Sequence, residues 1–373
     1  MTDHGPVIVA LSGGVDSAVA ALLLRDQGYA VQCIHMSNWE DDGYCEGARE
    51  FQDARMLCKQ LGLPLHRVNF SEQYRRRVFD EFLEEHRRGR TPNPDVLCNR
   101  EIKFGLLRRY ARRLGGRWLA TGHYARLRRT DTRVHLLKGR DENKDQSYFL
   151  HAVSEADLAD VMFPLGEMHK REVRSVAQAA GLLVADKKDS TGICFIGERP
   201  FAEFLSQYLP DEPGEIKDLQ GCTLGTHRGI TFYTLGQRHG LGVGGQATRA
   251  QSPWYVAHKD PRRNELIVVQ GNDHPRLFQN WLHATRVHWI NSPPEGWAKG
   301  VPLSCRAKTR YRQPDQGCTA TRHAEDALEI NFHSAQRAIT PGQSVVLYQE
   351  DRCLGGATIR QAEMREDSLE AVV

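Results

Sequence analysis

Hydrophobic and polar positions change rhythm along this chain of 373 residues. In the first half, short apolar runs alternate with longer stretches that repeat every three to four residues. Val7-Ile8-Val9-Ala10-Leu11 reads as a strand buried on both faces, and Ala30 to Met36 as a second. Between and after them the period becomes helical. Asp16 to Gln27 is apolar and Ala-rich and stops at Gly28, and Gly47 to Leu61 places Phe51, Ala54, Cys58 and Leu61 on one face. Ser71 to His86 aligns Tyr74, Val78, Phe79, Phe82 and Leu83, while Ile102, Leu106, Tyr110 and Leu114 mark a helix capped by Asn99. Arg117 to Thr121 predicts a strand and Leu165 to Ala180 a helix ended by Gly181. Strands alternating with helices predict a parallel sheet covered on both faces.

After Phe204 the helical period disappears. Pro210, Pro213 and Gly214 break the chain, and Leu224 to Thr234, Trp254 to Val269, Leu328 to Phe332, Ser344 to Tyr348 and Cys353 to Ile359 read as strands. The expected fold class is therefore an α/β parallel-sheet domain over 1–203, a small β-rich central domain over 204–276 and a C-terminal β-barrel over 277–373. In open parallel sheets ligands bind beyond the carboxyl ends of the strands, where Ser12 to Ser17, Met36 and Thr121-Gly122-His123 would converge.

Composition narrows the picture little. Fifty basic and 47 acidic residues leave a net charge of +3, so global charge does not announce a nucleic-acid binder. Local charge does more: arginines crowd the segment from Arg75 to Arg129, which suggests a phosphate-backbone footprint. No apolar run approaches 18 residues and no signal peptide precedes the first strand, so a cytoplasmic protein without membrane contact is expected. Nine scattered cysteines, none in a Cys-x-x-Cys pair, give no support to a metal site.

Chemistry begins at Ser12-Gly13-Gly14-Val15-Asp16-Ser17. Adjacent glycines at a strand-to-helix junction aim successive N–H groups into one concavity, and the helix terminus adds partial positive charge there. The loop lacks the Gly-Lys-Ser/Thr ending of a Walker loop and supplies no lysine to a γ-phosphate. It resembles the PP-loop of the ATP pyrophosphatases, which implies cleavage of ATP between the α and β phosphates, assisted by Mg²⁺.

Two further stretches carry cysteines. In Thr91-Pro92-Asn93-Pro94-Asp95-Val96-Leu97-Cys98-Asn99 the prolines are expected to hold Asn93 and Asp95 out of any helix. Cys98 would sit beside a helix start with Arg100 near, which favours thiolate, and Asp95 could move protons. Cys194 lies between Gly192 and Gly197, as in a mobile loop. Each cysteine alone reads more readily as structural. Paired with an adenylating loop, they suggest a persulfide nucleophile for an activated carbonyl.

Eight motifs then fall in the order of one family. They are Ser12 to Ser17, His35 to Trp39, Asn93 to Asp95 with Cys98-Asn99, Thr121 to Arg126, Lys144 to Leu150, Ser190 to Arg199, Arg310 to Gln313 and Pro341 to Gln343. Together they resemble the bacterial tRNA-specific 2-thiouridylases almost end to end. The resemblance implies ATP contacts at Ala10, Leu11, Ser12, Gly13, Gly14, Val15, Asp16, Ser17, Met36 and Gly122. It implies target-base contacts at Asn93, Pro94 and Asp95, a nucleophile at Cys98 and a persulfide carrier at Cys194. Further tRNA contacts are implied at His123, Lys144, Asp145, Gln146, Arg310, Tyr311 and Gln343. The partners would be tRNAs of the Lys, Glu and Gln acceptors, and a persulfide donor such as a cysteine desulfurase or sulfur-relay protein. Asp131 to His135 and Glu363 to Val373 match no motif. Two other readings differ in what they require. Another PP-loop enzyme adenylating a small metabolite would turn over without tRNA. A silent RNA-binding relic would be expected to have lost Asp16 or a cysteine, and all are present.

Overall fold

The computed structural model describes residues 5–39, 46–188, 201–243, 252–294 and 297–365. Cys194, with the rest of the 190–199 motif, lies outside the described residues. Strands β1 (Pro6–Ala10), β2 (Ala30–Ser37), β3 (Leu65–Asn69), β4 (Trp118–Ala120) and β7 (Val161–Met162) form a parallel sheet in the order β3-β2-β1-β4-β7. The apolar run of β1 is explained by its two faces. Ile8 joins a core with Tyr74, Phe79 and Phe104, whereas Val7 and Val9 face the helices Val15–Asp26 and Glu46–Leu61. Order reverses across β1, with β2 on one side and β4 on the other, so the loops after all three strands meet at a topological switch point.

Strands β8 (Gly214–Lys217), β9 (Thr223–His227), β10 (Trp254–Asp260) and β11 (Glu265–Gln270) make the small central sheet, in the order β10-β11-β8-β9. The last six, β12 (Phe278–Trp289), β13 (Pro302–Lys308), β14 (Gln316–Ala324), β15 (Ala327–Arg337), β16 (Ser344–Gln349) and β17 (Arg352–Glu363), close on themselves because β12 pairs with both β15 and β17. Leu328, Ile330 and Phe332 alternate into the barrel core as their pattern requires.

Four local expectations are corrected. The helix expected from Leu165 begins at Lys170, because Gly166 must ride against the backbone of Ala125 and the Glu172 carboxylate caps the N–H of His169 at 2.6 Å. The strand expected through Thr234 ends at His227, followed by Gly229 at positive φ and a 3₁₀ turn, Ile230–Phe232. A hairpin of β5 (Ala125–Arg129) and β6 (Val134–Lys138) stands where the arginines read only as charge. It carries the unassigned 131–135 stretch and joins the barrel through Leu137 opposite Arg352. Finally, the helix expected to start at Asn99 starts at Pro94, runs over residues 94–113 and is widened to π geometry across Cys98–Leu107. No helix among the described residues is long and apolar enough to cross a membrane.

Candidate active site

The turn after β1 is built for close approach. Gly13 has φ +80°, and a Cβ there would meet the Glu50 carbonyl oxygen at 2.6 Å. Gly122, following β4, lies against the start of the helix Val15–Asp26, where a Cβ would sit 2.8 Å from the Ser17 nitrogen. Ser17 Oγ donates to the Gly14 carbonyl at 3.0 Å and accepts from the Ser12 N–H at 3.2 Å, fixing the cradle from inside. Met36, half-buried, lies near the end of β2, and its buried neighbour His35 is within hydrogen-bond distance of the Leu11 carbonyl at 3.0 Å. Residues 10–17, 36 and 122 are thus brought together.

Two lysines complete the cradle from elsewhere in the chain. Lys170 Nζ lies 2.7 and 2.8 Å from the two Asp16 oxygens, and the Tyr124 hydroxyl donates to Asp16 at 2.7 Å. Lys187 Nζ donates to the Gly13 carbonyl at 3.2 Å and pairs with Asp53 at 2.7 Å. The sequence expectation that the loop supplies no lysine holds for the loop itself, but these cations were missed. Each stands alone in its segment with no motif around it.

Asn93, not Asn99, caps the next helix, its Oδ1 accepting from the Asp95 N–H at 3.2 Å. Pro94 takes the first helical position, which suits a residue without an N–H. Asp95 is therefore helical, against the expectation, and Cys98 falls three residues later on the same face. Cys98 is 1 % exposed and lies past the first turn, beyond the reach of the terminal dipole, and Arg100 turns to Glu101 at 2.9 Å.

A cavity of about 350 Å³ opens at the head of this helix, lined by Phe82, His86, Thr91 to Asp95, Phe201, Thr234 and Gln343. Its volume is in the range of small-molecule sites. Asn93, Pro94, Asp95 and Gln343, implied separately as tRNA contacts, meet here. Gln343 Nε2 donates to the Thr91 carbonyl at 2.7 Å, so the barrel itself forms one wall. Midway along this helix Phe104 packs against His123, the neighbour of Gly122, their ring centres 5.6 Å apart. A larger cavity, about 470 Å³, lies at the far end of the helix Val15–Asp26 among Leu22, Arg25 and Leu61, and gathers none of the expected residues.

The other implied tRNA contacts are placed differently. His123 is buried between Phe104 and Phe163, with Nδ1 2.6 Å from the Thr121 hydroxyl; burial, then the charge of Lys103, pushes its imidazole well below its ordinary pKa and keeps it neutral. Asp145 is 3 % exposed and accepts from the Gly139 and Ser147 N–H groups and from Lys308 Nζ at 3.0 Å. Gln146 clasps Tyr124 through two backbone groups. Arg310 spends its guanidinium on the carbonyls of Leu235 and Ala338, at 2.9 and 2.8 Å, tying the central segment to the barrel. Tyr311 packs on Phe149 at 4.4 Å and donates to the carbonyl of half-buried Lys144 at 3.3 Å. His123 and Asp145 are buried, whereas Lys144, Gln146, Arg310 and Tyr311 are half-buried. In the arginine-dense segment most cations are paired with carboxylates, whereas Arg75, Arg109 and Arg113 are exposed and have no ion pair among the described residues.

No group of three or more His, Cys, Asp or Glu side chains suited to a metal occurs among the described residues. Residues 5–198 match the family described as the tRNA methyl transferase HUP domain, 202–270 its PRC-barrel domain, and 279–359 the aminomethyltransferase beta-barrel domain. Among curated proteins, the tRNA-specific 2-thiouridylase MnmA of Methylococcus capsulatus is 54 % identical over 356 residues, 95 % of each chain. Those of Pseudomonas aeruginosa and Stutzerimonas stutzeri are both 53 % identical over 360 residues, covering 96 % of this chain and 95 % of theirs.

Proposed function

Because the chain belongs to the family of tRNA-specific 2-thiouridylases, we propose that it is the sulfurtransferase replacing the C2 oxygen of the wobble uridine, position 34, with sulfur. One observation carries the assignment of its parts: a single helix, 94–113, has the cavity at its head, bears Asp95 and Cys98 on one face, and packs midway against His123, the neighbour of the cradle residue Gly122.

ATP is the co-substrate, held by residues 10–17, Met36 and Gly122, with Lys170 and Lys187 adding positive charge. Asp16 does not fit a resident Mg²⁺, since the Lys170 ammonium already spans both its oxygens. Magnesium would enter as the counter-ion of ATP. The flipped uridine occupies the cavity at Asn93, Pro94, Asp95 and Gln343; an anticodon-loop base is already unpaired, so extruding it costs little. The uridine O2 attacks the α-phosphorus, pyrophosphate leaves, and the N3 proton departs, with Asp95 as its acceptor. The terminal sulfur of a Cys194 persulfide then attacks C2 and displaces AMP. Attack of Cys98 on the Cys194 sulfur releases the thiolated base and leaves a Cys98–Cys194 disulfide for an external thiol to reduce. Alternatively Cys98 adds to the base first. The persulfide comes from a cysteine desulfurase or sulfur-relay protein in the cytoplasm, and tRNAs of the Lys, Glu and Gln acceptors are the substrates. The division into domains 1–203, 204–276 and 277–373 belongs to the same reading.

The test combines enzyme, tRNA, α-labelled ATP and a persulfide donor. AMP and pyrophosphate should appear together with 2-thiouridine at position 34 by mass spectrometry. Cys194→Ser should block sulfur loading, whereas Cys98→Ser should load sulfur and fail to transfer it. ADP as main product, or full turnover without tRNA, overturns the assignment.

A further inference from the structure

His86 belongs to none of the motifs, yet it lines the cavity given above to the target base. It is 2 % exposed, its ring seated between Phe82 at 4.3 Å and Phe201 at 5.8 Å. Nδ1 stands 2.8 Å from the Phe82 carbonyl oxygen. A carbonyl can only accept, so Nδ1 carries the hydrogen and Nε2 is left with a lone pair. Nε2 makes no hydrogen bond among the described residues and is not sealed from solvent.

We infer that His86 sets base specificity, its Nε2 accepting the N3–H of the bound uridine, the proton that Asp95 takes up only when the base is adenylated, and facing lone pair to lone pair against the N3 of cytidine. The inference rests on the cavity being the target-base site. Uridine and cytidine differ at N3 in the polarity a single acceptor can read: the first donates, the second accepts. The neighbouring Asn93 contributes the opposite polarity, because its Oδ1 is spent on the Asp95 N–H and its amide hydrogens remain for a base carbonyl. For His86 to welcome cytidine it would have to take a proton on Nε2. Burial pushes its pKa down to about 4; the Lys259 charge pushes the same way and Glu85 opposes. At neutral pH the ring is therefore a neutral acceptor, and a buried acceptor rejects a ligand that leaves it unpaired.

The experiment measures binding of otherwise identical tRNAs carrying uridine, cytidine or 3-deazauridine at position 34. In 3-deazauridine, a 4-hydroxy-2-pyridone, a C–H replaces the N3–H and the C2 carbonyl remains. The unmodified protein should bind the deaza tRNA about tenfold more weakly than the uridine tRNA, the cost of an unpaired buried acceptor. His86→Phe keeps the ring stack, should lose that difference, and should lower the preference for uridine over cytidine about tenfold. His86→Gln offers both a carbonyl and an amine, and should recover uridine binding while admitting cytidine. ATP affinity and persulfide loading should not change in either variant. Equal affinity of the unmodified protein for uridine and 3-deazauridine overturns the inference without any variant needing to fold. If the unmodified protein thiolates no uridine at all, it is the proposed function that fails.

Discussion

Removing the Lys308 ammonium should loosen the union of the N-terminal segment and the barrel while leaving tRNA binding intact. Asp145 sits between the two. Its Oδ1 accepts from the Gly139 and Ser147 N–H groups at 2.9 and 3.1 Å, and its Oδ2 from the Ser147 hydroxyl and Lys308, both at 3.0 Å. The paired side chains are 9 % and 2 % exposed, and the Ser147 hydroxyl continues to the Tyr348 hydroxyl inside the barrel wall. Breaking a buried pair by removing one partner costs about 3–5 kcal/mol, because a charge is left without its counter-ion. Three neutral donors remain on Asp145, which puts Lys308→Ala near the lower end, about 3 kcal/mol. At about 2–4 °C per kcal/mol, that is a fall of about 6–12 °C in the melting temperature. The double change Asp145→Asn with Lys308→Met removes both charges and should recover most of the loss. Calorimetry and urea unfolding give the stabilities; filter binding well below the transition gives tRNA affinity and its salt dependence. An unaltered melting temperature in Lys308→Ala would refute the reasoning. So would an Asp145→Asn variant of normal stability whose tRNA affinity has collapsed, since that places Asp145 on the RNA.

Arg310→Ala should lower stability and leave the slope of tRNA affinity against salt unchanged, because its guanidinium serves backbone carbonyls; Arg109→Ala with Arg113→Ala should flatten that slope by about one unit for each phosphate no longer neutralised, read by binding across a salt series. Acid should destabilise the fold before the carboxylates titrate. His86 and His151 have folded pKa values lowered to about 4 by burial, so the unfolded chain binds more protons between about 6.5 and 4, and stability falls as pH drops through that window. From pH 7 to 5 each should cost about 2 kcal/mol by denaturant titration, and His151→Phe should remove its share of the pH dependence.

Periodicity made the first half legible because each face of β1 has its own apolar partner, and the barrel because Leu328, Ile330 and Phe332 alternate. What composition concealed was the use of polar side chains. Arg310, Asp145 and Gln146 are implied as tRNA contacts by the family resemblance alone, and each also holds backbone or a buried partner from a distant segment. A single sequence shows the residue type and not whether its hydrogen bonds are already made. Lys170, Lys187 and His86 were hidden for the converse reason, each acting alone from an element whose local pattern is complete without it.

The cavity shows why its residues are so scattered in sequence. Its floor is the cap and first turn at 93–95, one wall is Thr234 of the central segment, and another is Gln343 of the barrel. Gly342 makes the join possible: at φ +94° it lies where a Cβ would come within 2.8 Å of the Thr91 nitrogen, which donates to the Pro341 carbonyl at 2.9 Å. The Pro341-Gly342-Gln343 motif thus needs no contact with RNA to be indispensable, since it holds the 91–95 loop against the barrel. A pocket assembled from three segments exists only when all three are docked. The strand-edge contact at Leu137 and Arg352, the Arg310 clasp and the Asp145–Lys308 pair are what keep them docked. The framework residues implied as tRNA contacts therefore also act on the base indirectly, by fixing the walls between which it is read.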